Sequence, residues 1–205
     1  MNRFECPHCK LNYPDDPVLA GQSTTCQHCG QTIEIPLARV VDLLPADVSH
    51  LAEAELVEAL KANVVPQART LFHFSSLDVR LLDTKTRRLD PFVVDGISGP
   101  PLEPVYARAI RNGIIGFVAA SGKGYLCDDT TDDPLGVPEG MPAKSFSAIP
   151  LLLRGEVIGT FSIGRNEPAA FSGDDLKLCA LFARDLAAAL YRIDARFRQG
   201  EAPEA

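Results

Sequence analysis

Ser145-Phe-Ser-Ala-Ile-Pro-Leu-Leu-Leu153-Arg154-Gly155-Glu156-Val-Ile-Gly159-Thr-Phe-Ser-Ile-Gly164-Arg165 holds two apolar runs rich in β-branched and aromatic residues, Ser145–Leu153 and Glu156–Gly164. Arg154-Gly155 separates them, and a two-residue connection ending in glycine between such runs is a strong β-hairpin signal. Gly159, inside the second run, marks a place where another element comes close.

Working outward, Ser172 caps a helix that opens on Asp174-Asp175, acids favoured at the positive helix end. Its apolar stripe is Leu176, Cys179, Phe182, Leu186, Leu190, Ile193 and Phe197, which predicts a helix over about 173–197. Upstream, Gly124–Cys127 reads as a short strand entering the acidic connection Asp128–Pro134. Ile114–Ser121 reads as a helix closed by Gly122. Leu102–Asn112 reads as another helix, after a Gly99-Pro100-Pro101 loop. Leu77–Leu81 alternates as a half-buried strand does, and Asp83–Arg87 joins it to a strand over Leu89–Val94. Pro91 points there to an edge or a strand start. From Ala46 the residues Val48, Leu51, Leu56, Leu60 and Val64 recur at helical steps until Pro66, which breaks or kinks the helix. A second short piece follows over Gln67–Phe72. The strands pair locally, so the fold class is α+β, an antiparallel sheet flanked by helices. No internal repeat is evident.

The first 36 residues need a different explanation. A stretch this short cannot hold itself together by burial alone. It carries Cys6-Pro7-His8-Cys9 and Cys26-Gln27-His28-Cys29, with sixteen residues between the pairs. Two C-x₂-C pairs at that distance are a zinc ligand set. Cys6, Cys9, Cys26 and Cys29 fill all four coordination positions, which makes the expected zinc structural. His8 and His28 are then surplus and face solvent. Gly30 suits the turn leaving the second knuckle. A redox role is the weaker reading, because neither Cys-x-x-Cys opens a helix.

Two resemblances follow. Phe4-x-Cys6-Pro7-x-Cys9, a middle Leu19-Ala20-Gly21, then Cys26-x-x-Cys29-Gly30 and a short apolar strand resemble the small zinc ribbons at the N-termini of many bacterial regulatory proteins. Gly113-Ile-Ile-Gly116 through Gly122-Lys-Gly124-Tyr-Leu-Cys-Asp128-Asp, then Asp133-Pro134, the hairpin Ser145–Arg165 and Phe171-Ser172-x-x-Asp175-Leu176 are similar to GAF domains. The division expected is a zinc ribbon over 1–36, a linker over 37–44, a GAF-like domain over 45–198 and a disordered tail over 199–205. The GAF resemblance implies a sheet with a small-molecule pocket on one face and dimerisation through terminal helices. Its members are mostly sensory or regulatory modules.

The chemistry is sparse. Cyclic-nucleotide-binding members carry an Asn-Lys where this chain has Asn166-Glu167, followed by Phe171 and Asp174-Asp175. An anion replaces a phosphate-binding cation, which argues against that ligand. Cys179 lies on an apolar stripe, and Asp128 and Asp129 beside Cys127 disfavour a reactive thiolate. A methionine-sulfoxide-reducing GAF enzyme would need more pocket cysteines than these two. Asp128, Asp129, Asp132 and Asp133 lack EF-hand spacing and read as a solvated loop. His50 and His73 stand in helical or helix-end contexts without partner motifs. No nucleophile elbow, phosphate-cradling loop or HExxH motif is present.

The net charge of the chain is −7. Arg3 and Lys10 against Glu5, Asp15, Asp16 and Glu34 give the ribbon −2, leaving −5 for the remainder. Neither part has the basic excess that nucleic-acid binding requires. The sequence shows no apolar segment of membrane-spanning length and no secretory signal, and metal-binding thiols suit a reducing compartment, so a cytoplasmic protein is expected. The expectation for function is a non-enzymatic sensory or regulatory protein. Its GAF-like domain would bind an unidentified small molecule or protein partner and form a homodimer through Leu186–Phe197 and Val48–Val64. A ligand-free structural adaptor, or a nucleic-acid-associated regulator acting through the ribbon, is the alternative.

Overall fold

The computed structural model describes residues 3–14, 23–34, 41–45, 47–48, 50–97, 105–110, 112–136 and 143–198. The expected tail over 199–205, the Gly99–Pro101 loop and the first half of the linker, 37–40, lie outside them. The chain divides into two compact units, Met1–Val40 and Val41–Ala205.

The smaller unit is a pair of hairpins. β1 (Arg3–Glu5) pairs with β2 (Asn12–Pro14), and β3 (Ser23–Thr25) pairs with β4 (Thr32–Glu34). The registers Glu5↔Asn12 and Thr25↔Thr32 are the same pairing shifted by twenty positions. The unit is thus an internal duplication. Its signature in the sequence is the Cys-x-His-Cys string occurring twice, too short a match to read as a repeat. Both turns close alike. Cys6 N–H donates to Leu11 O at 2.9 Å and Cys26 N–H to Gln31 O at 2.8 Å. Lys10 and Gly30 leave the two turns with φ of 62° and 71°.

The larger unit is built on six antiparallel strands: β5 (Ser76–Leu82), β6 (Arg88–Asp95), β7 (Val105–Tyr106), β8 (Tyr125–Cys127), β9 (Ser145–Leu153) and β10 (Glu156–Arg165). Their spatial order is β7-β6-β5-β10-β9-β8. The β9–β10 turn has φ of 51° at Arg154 and 84° at Gly155, the two positive values of a type I′ hairpin, whose twist matches its strands. Gly159 sits where β10 meets β5. A β-carbon there would lie 2.2 Å from the Arg80 carbonyl oxygen, so only glycine fits.

Helices cover both faces: α1 (Glu53–Leu71), α2 (Gly113–Ser121) and α3 (Gly173–Arg198). On one face Phe72, after α1, meets Phe161 of β10 and Phe182 of α3, with ring centroids 4.8–6.2 Å apart. On the other face Ile114, Ile115 and Val118 of α2 pack with Phe146 and Ala148 of β9.

Three elements differ from the sequence reading. α1 starts at Glu53 instead of Ala46, because Glu55 folds back to accept the Ala52 N–H at 2.7 Å and closes the first turn. It then runs through Pro66. The carbonyl that a proline leaves unpaired belongs to Ala62, on the exposed side of the helix. The expected Leu102–Asn112 helix is absent among the described residues. Val105 and Tyr106 instead pair with Leu89 and Arg88, and Ala107 N–H bonds Arg87 O. β5 is not half-buried: Ser76 through Arg80 are all enclosed. Residues 41–44, expected as linker, pack within the larger unit. Val41 N–H donates to Asp185 Oδ2 at 3.2 Å, and Leu43 O accepts from Asn63.

Candidate functional site

Two constellations carry chemistry. In the smaller unit the duplicated turns bring four sulfur atoms together, all within 4.8 Å of one another. Cys6 and Cys29 Sγ are 3.8 Å apart, and Cys9 and Cys26 Sγ are 3.6 Å apart. Four thiolates at ~2.3 Å from a tetrahedral zinc have sulfur–sulfur edges of about 3.8 Å. The cysteines are free, and these separations far exceed the ~2.05 Å of a disulfide. The donor set therefore fits a metal of zinc's size and geometry. Cys6 and Cys26 are buried, Cys9 and Cys29 partly so, while His8 and His28 are exposed. Among the described residues this is the one group able to hold a metal ion.

In the larger unit the face under α2 has a polar floor. Paired residues of an antiparallel sheet share a face. Phe146 and Ala148 face α2, and they stand opposite Gly164 and Ser162 of β10, which stand opposite Ser76 and Asp78 of β5. Thr160 and Arg80 continue the row. Ser76, Asp78, Arg80, Thr160 and Ser162 are all fully buried. Arg80 Nε donates to Asp78 Oδ2 at 2.7 Å, an ion pair with no exposure on either side chain. Ser162 Oγ donates to the Asp78 carbonyl at 3.0 Å. Asp78 Oδ1, Ser76 Oγ and Thr160 Oγ1 have no hydrogen-bond partner. Burial pushes the Asp78 carboxyl above its ordinary range, against the pull of Arg80. Buried polar atoms are satisfied in more than about 90% of cases, so three unmet groups on one face ask for a cause.

The remaining candidates have structural work. Cys127 is buried on the α2 face opposite Phe146. Burial, then Asp133, push its thiol up to about 12. Cys179 lies on α3, on the opposite side of the sheet, and burial pushes it up to about 12 as well. Neither thiol is ionised near neutral pH, and the sheet separates them. Asp133 accepts from the Tyr125 hydroxyl and the Leu135 N–H, and Asp129 accepts from Thr131, so the acidic connection is held by its own turns. Asn166 and Glu167 are exposed, Phe171 is buried under Arg165, and Asp175 caps α3 with Ser172. His50 and His73 are exposed.

A family model described as GAF domain matches residues 54–190. The chain belongs to the GAF domain family. No curated protein matches it. Among solved structures, the GAF domain of a phosphoenolpyruvate-protein phosphotransferase from Coxiella burnetii is 19% identical, with TM-score 0.60, over 70% of this chain and 86% of that one. A GAF domain/HD domain protein from Geobacter sulfurreducens is 17% identical, with TM-score 0.57, over 70% and 96%. A type II free methionine-R-sulfoxide reductase from Thermoplasma acidophilum is 15% identical, with TM-score 0.58, over 69% and 96%. At these identities the likeness shows the GAF fold alone. No helix among the described residues is long and apolar enough to cross a membrane.

The ribbon cysteines were legible from spacing. The polar floor was not, because Asp78 and Arg80 alternate with Leu77, Val79 and Leu81 as a solvent-facing set would.

Proposed function

We infer that this protein is a cytoplasmic, non-enzymatic sensory module. The GAF domain binds a small molecule over the α2 face of its sheet, and a structural zinc on Cys6, Cys9, Cys26 and Cys29 builds the ribbon that contacts a protein partner. The observation that carries the reading is the sealed polar floor of Ser76, Asp78, Arg80, Thr160 and Ser162, with hydrogen-bonding capacity left over. A purely structural sheet face has no use for a buried ion pair, whose desolvation offsets most of its attraction. The non-enzymatic part rests on Cys127 and Cys179, held protonated on opposite faces. A homodimer belongs to the same reading, with a narrower interface than the sequence suggests. Leu186, Ile193, Leu56, Leu60 and Val64 are spent inside the monomer, whereas Leu190 and Tyr191 stay half-exposed.

An adaptor without a ligand is the second reading, favoured by Ile114, Ile115, Val118 and Phe146, which fill much of the same face. Native mass spectrometry of the protein from its own host separates the two. The sensor carries zinc and a small-molecule adduct that Thr160→Val weakens; the adaptor carries zinc alone. Reduction of free methionine sulfoxide with a dithiol, abolished by Cys127→Ser, would overturn the non-enzymatic reading. Sedimentation as a monomer at micromolar concentration would overturn the dimer.

A further inference from the structure

We propose that a groove along the outer edge of β9 takes an anionic amphiphile, a medium-chain fatty acid or a molecule of that build, with its carboxylate at Lys123 and Lys177. The groove shares no residue with the polar floor under α2, and the sensor reading does not depend on it. β8 pairs only with Phe146–Ala148, so from Ile149 onward β9 is the margin of the sheet. There Ile149 and Leu152 of β9 stand across from Leu176 and Ala180 of α3. The cavity between them is about 410 Å³, within the range of small-molecule sites. Ile149 alternates with Ala148 and so lies on the α3 side of the sheet. Leu152 is 43% exposed and Ala180 is exposed, so both walls are open to a ligand. Gly124 sits at one end of the groove, where a β-carbon would lie 2.9 Å from Ile149 Cδ1 and 3.8 Å from Leu176 Cδ1.

The walls are apolar side chains and glycine, which favour a hydrocarbon chain. The charged residues lining the groove are Lys177 and Arg184, and none of its described lining is acidic, although the chain beyond the ribbon carries −5. Lys123, exposed between the lining Gly122 and Gly124, adds a cation at the Leu176 end. Lys177 pairs with Asp174 at 2.9 Å, but both side chains are mostly in water. Such a pair holds weakly and exchanges readily for a ligand carboxylate. Arg184 is bound to the buried Asp185 and serves as wall at the other end. The carboxylate therefore belongs at the Lys123–Lys177 end. Leu176 to Arg184 spans about 12 Å of helix at 1.5 Å per residue, room for a medium-length chain. An added peptide strand is the rival occupant of an open strand edge. Pro150 disfavours it, because a proline in a ladder turns its nitrogen to the unpaired edge and removes a donor there.

The test is protein-observed NMR of the full chain with octanoate, octan-1-ol and octylammonium. Octanoate should shift the amides of Ile149, Leu152, Leu176, Lys177 and Ala180. It should bind about two- to fivefold more tightly than the alcohol, the gain that one exposed ion pair gives, and added salt should erase the difference. Octylammonium should bind more weakly than either. Lys123→Gln/Lys177→Gln should bring octanoate down to the affinity of the alcohol and leave the alcohol unchanged. Ala180→Phe, at an exposed helix position, should fill the groove and block every probe while the other amides keep their dispersion. The lysine double variant serves alone if Ala180→Phe does not fold. The alcohol binding the parent as tightly as octanoate at low salt would overturn the anionic class. Shifts confined to other residues, or silence from every probe, would overturn the site. So would groove shifts that follow protein concentration without a probe, as a second copy seated there would cause. Each of these outcomes leaves the sensor reading standing, since that reading concerns the other face.

Discussion

At the residue scale, the duplicated ribbon contains its own control. Lys10 and Gly30 occupy equivalent positions with φ of 62° and 71°. The left-handed region costs a side-chain-bearing residue about 1–2 kcal/mol, and glycine's extra freedom in the unfolded chain returns 0.5–1 kcal/mol of that. Lys10→Gly should therefore stabilise the ribbon by about 0.5–1 kcal/mol. In a competition titration with a chelator this appears as a two- to fivefold gain in apparent zinc affinity; a loss would mean that the Lys10 side chain has work of its own. Gly159 is the opposite case. With a β-carbon 2.2 Å from a backbone oxygen, Gly159→Ala must push β10 away from β5. The cost should reach the upper part of the ~1–3 kcal/mol range for overpacking, a fall of roughly 5–10 °C in Tm. Both glycine positions were legible in the sequence. Asp78 and Arg80 were not: no pattern of residue types tells a strand exposed on one face from one covered on both.

At the element scale, local signals located what local interactions hold. The type I′ hairpin, the Gly122 cap and the Ser172 cap all form where turn chemistry puts them. The Val105–Tyr106 strand escaped because two residues gain strand geometry only from a partner, Arg88–Leu89, whose paired residues lie sixteen and eighteen positions earlier. The cap of α3 lends itself to measurement. Ser172 Oγ accepts the Asp175 N–H at 3.1 Å, and the Asp175 carboxylate accepts the Ser172 hydroxyl at 2.6 Å and its N–H at 2.8 Å. Arg165 adds an ion pair at 3.0 Å. Burial alone would raise the Asp175 carboxyl, but the Ser172 bonds and Arg165 outweigh it and hold it below its ordinary range. A depressed carboxyl contributes stability that is present above its unfolded-state value and lost as pH falls through its folded-state value. Ser172→Ala should thus cost about 1 kcal/mol at pH 7. In urea denaturation the gap between variant and parent should narrow as pH falls below the ordinary aspartate range and through the carboxyl's depressed folded-state value. A gap that stays constant into acid would show that Asp175 does not share the cap.

At the scale of the whole molecule, the two units have different sources of stability. The larger one buries Leu77, Val79, Phe146, Phe161, Phe182 and Leu186 completely. Among its described residues the smaller one buries Ile33 and the sulfurs of Cys6 and Cys26, with two-hairpin pairing around them. A core that thin cannot offset the ordering of some thirty residues. The proposed structural zinc would supply an apparent energy of about 10–16 kcal/mol at neutral pH, which becomes folding free energy. Removing the metal should therefore erase one unit and spare the other. With a strong chelator, the amide resonances of residues 3–14 and 23–34 should collapse into the narrow range of an unfolded chain. The resonances of residues 50–97 and 143–198 should keep their dispersion, and the main thermal transition should move by no more than about 2 °C, since the core that sets it contains no metal ligand. Acid should act like the chelator, because zinc binds the thiolates and protons compete for them. Loss of the larger unit's dispersion along with the metal would refute the separation of stability between them, and persistence of the ribbon resonances without metal would refute zinc as its source.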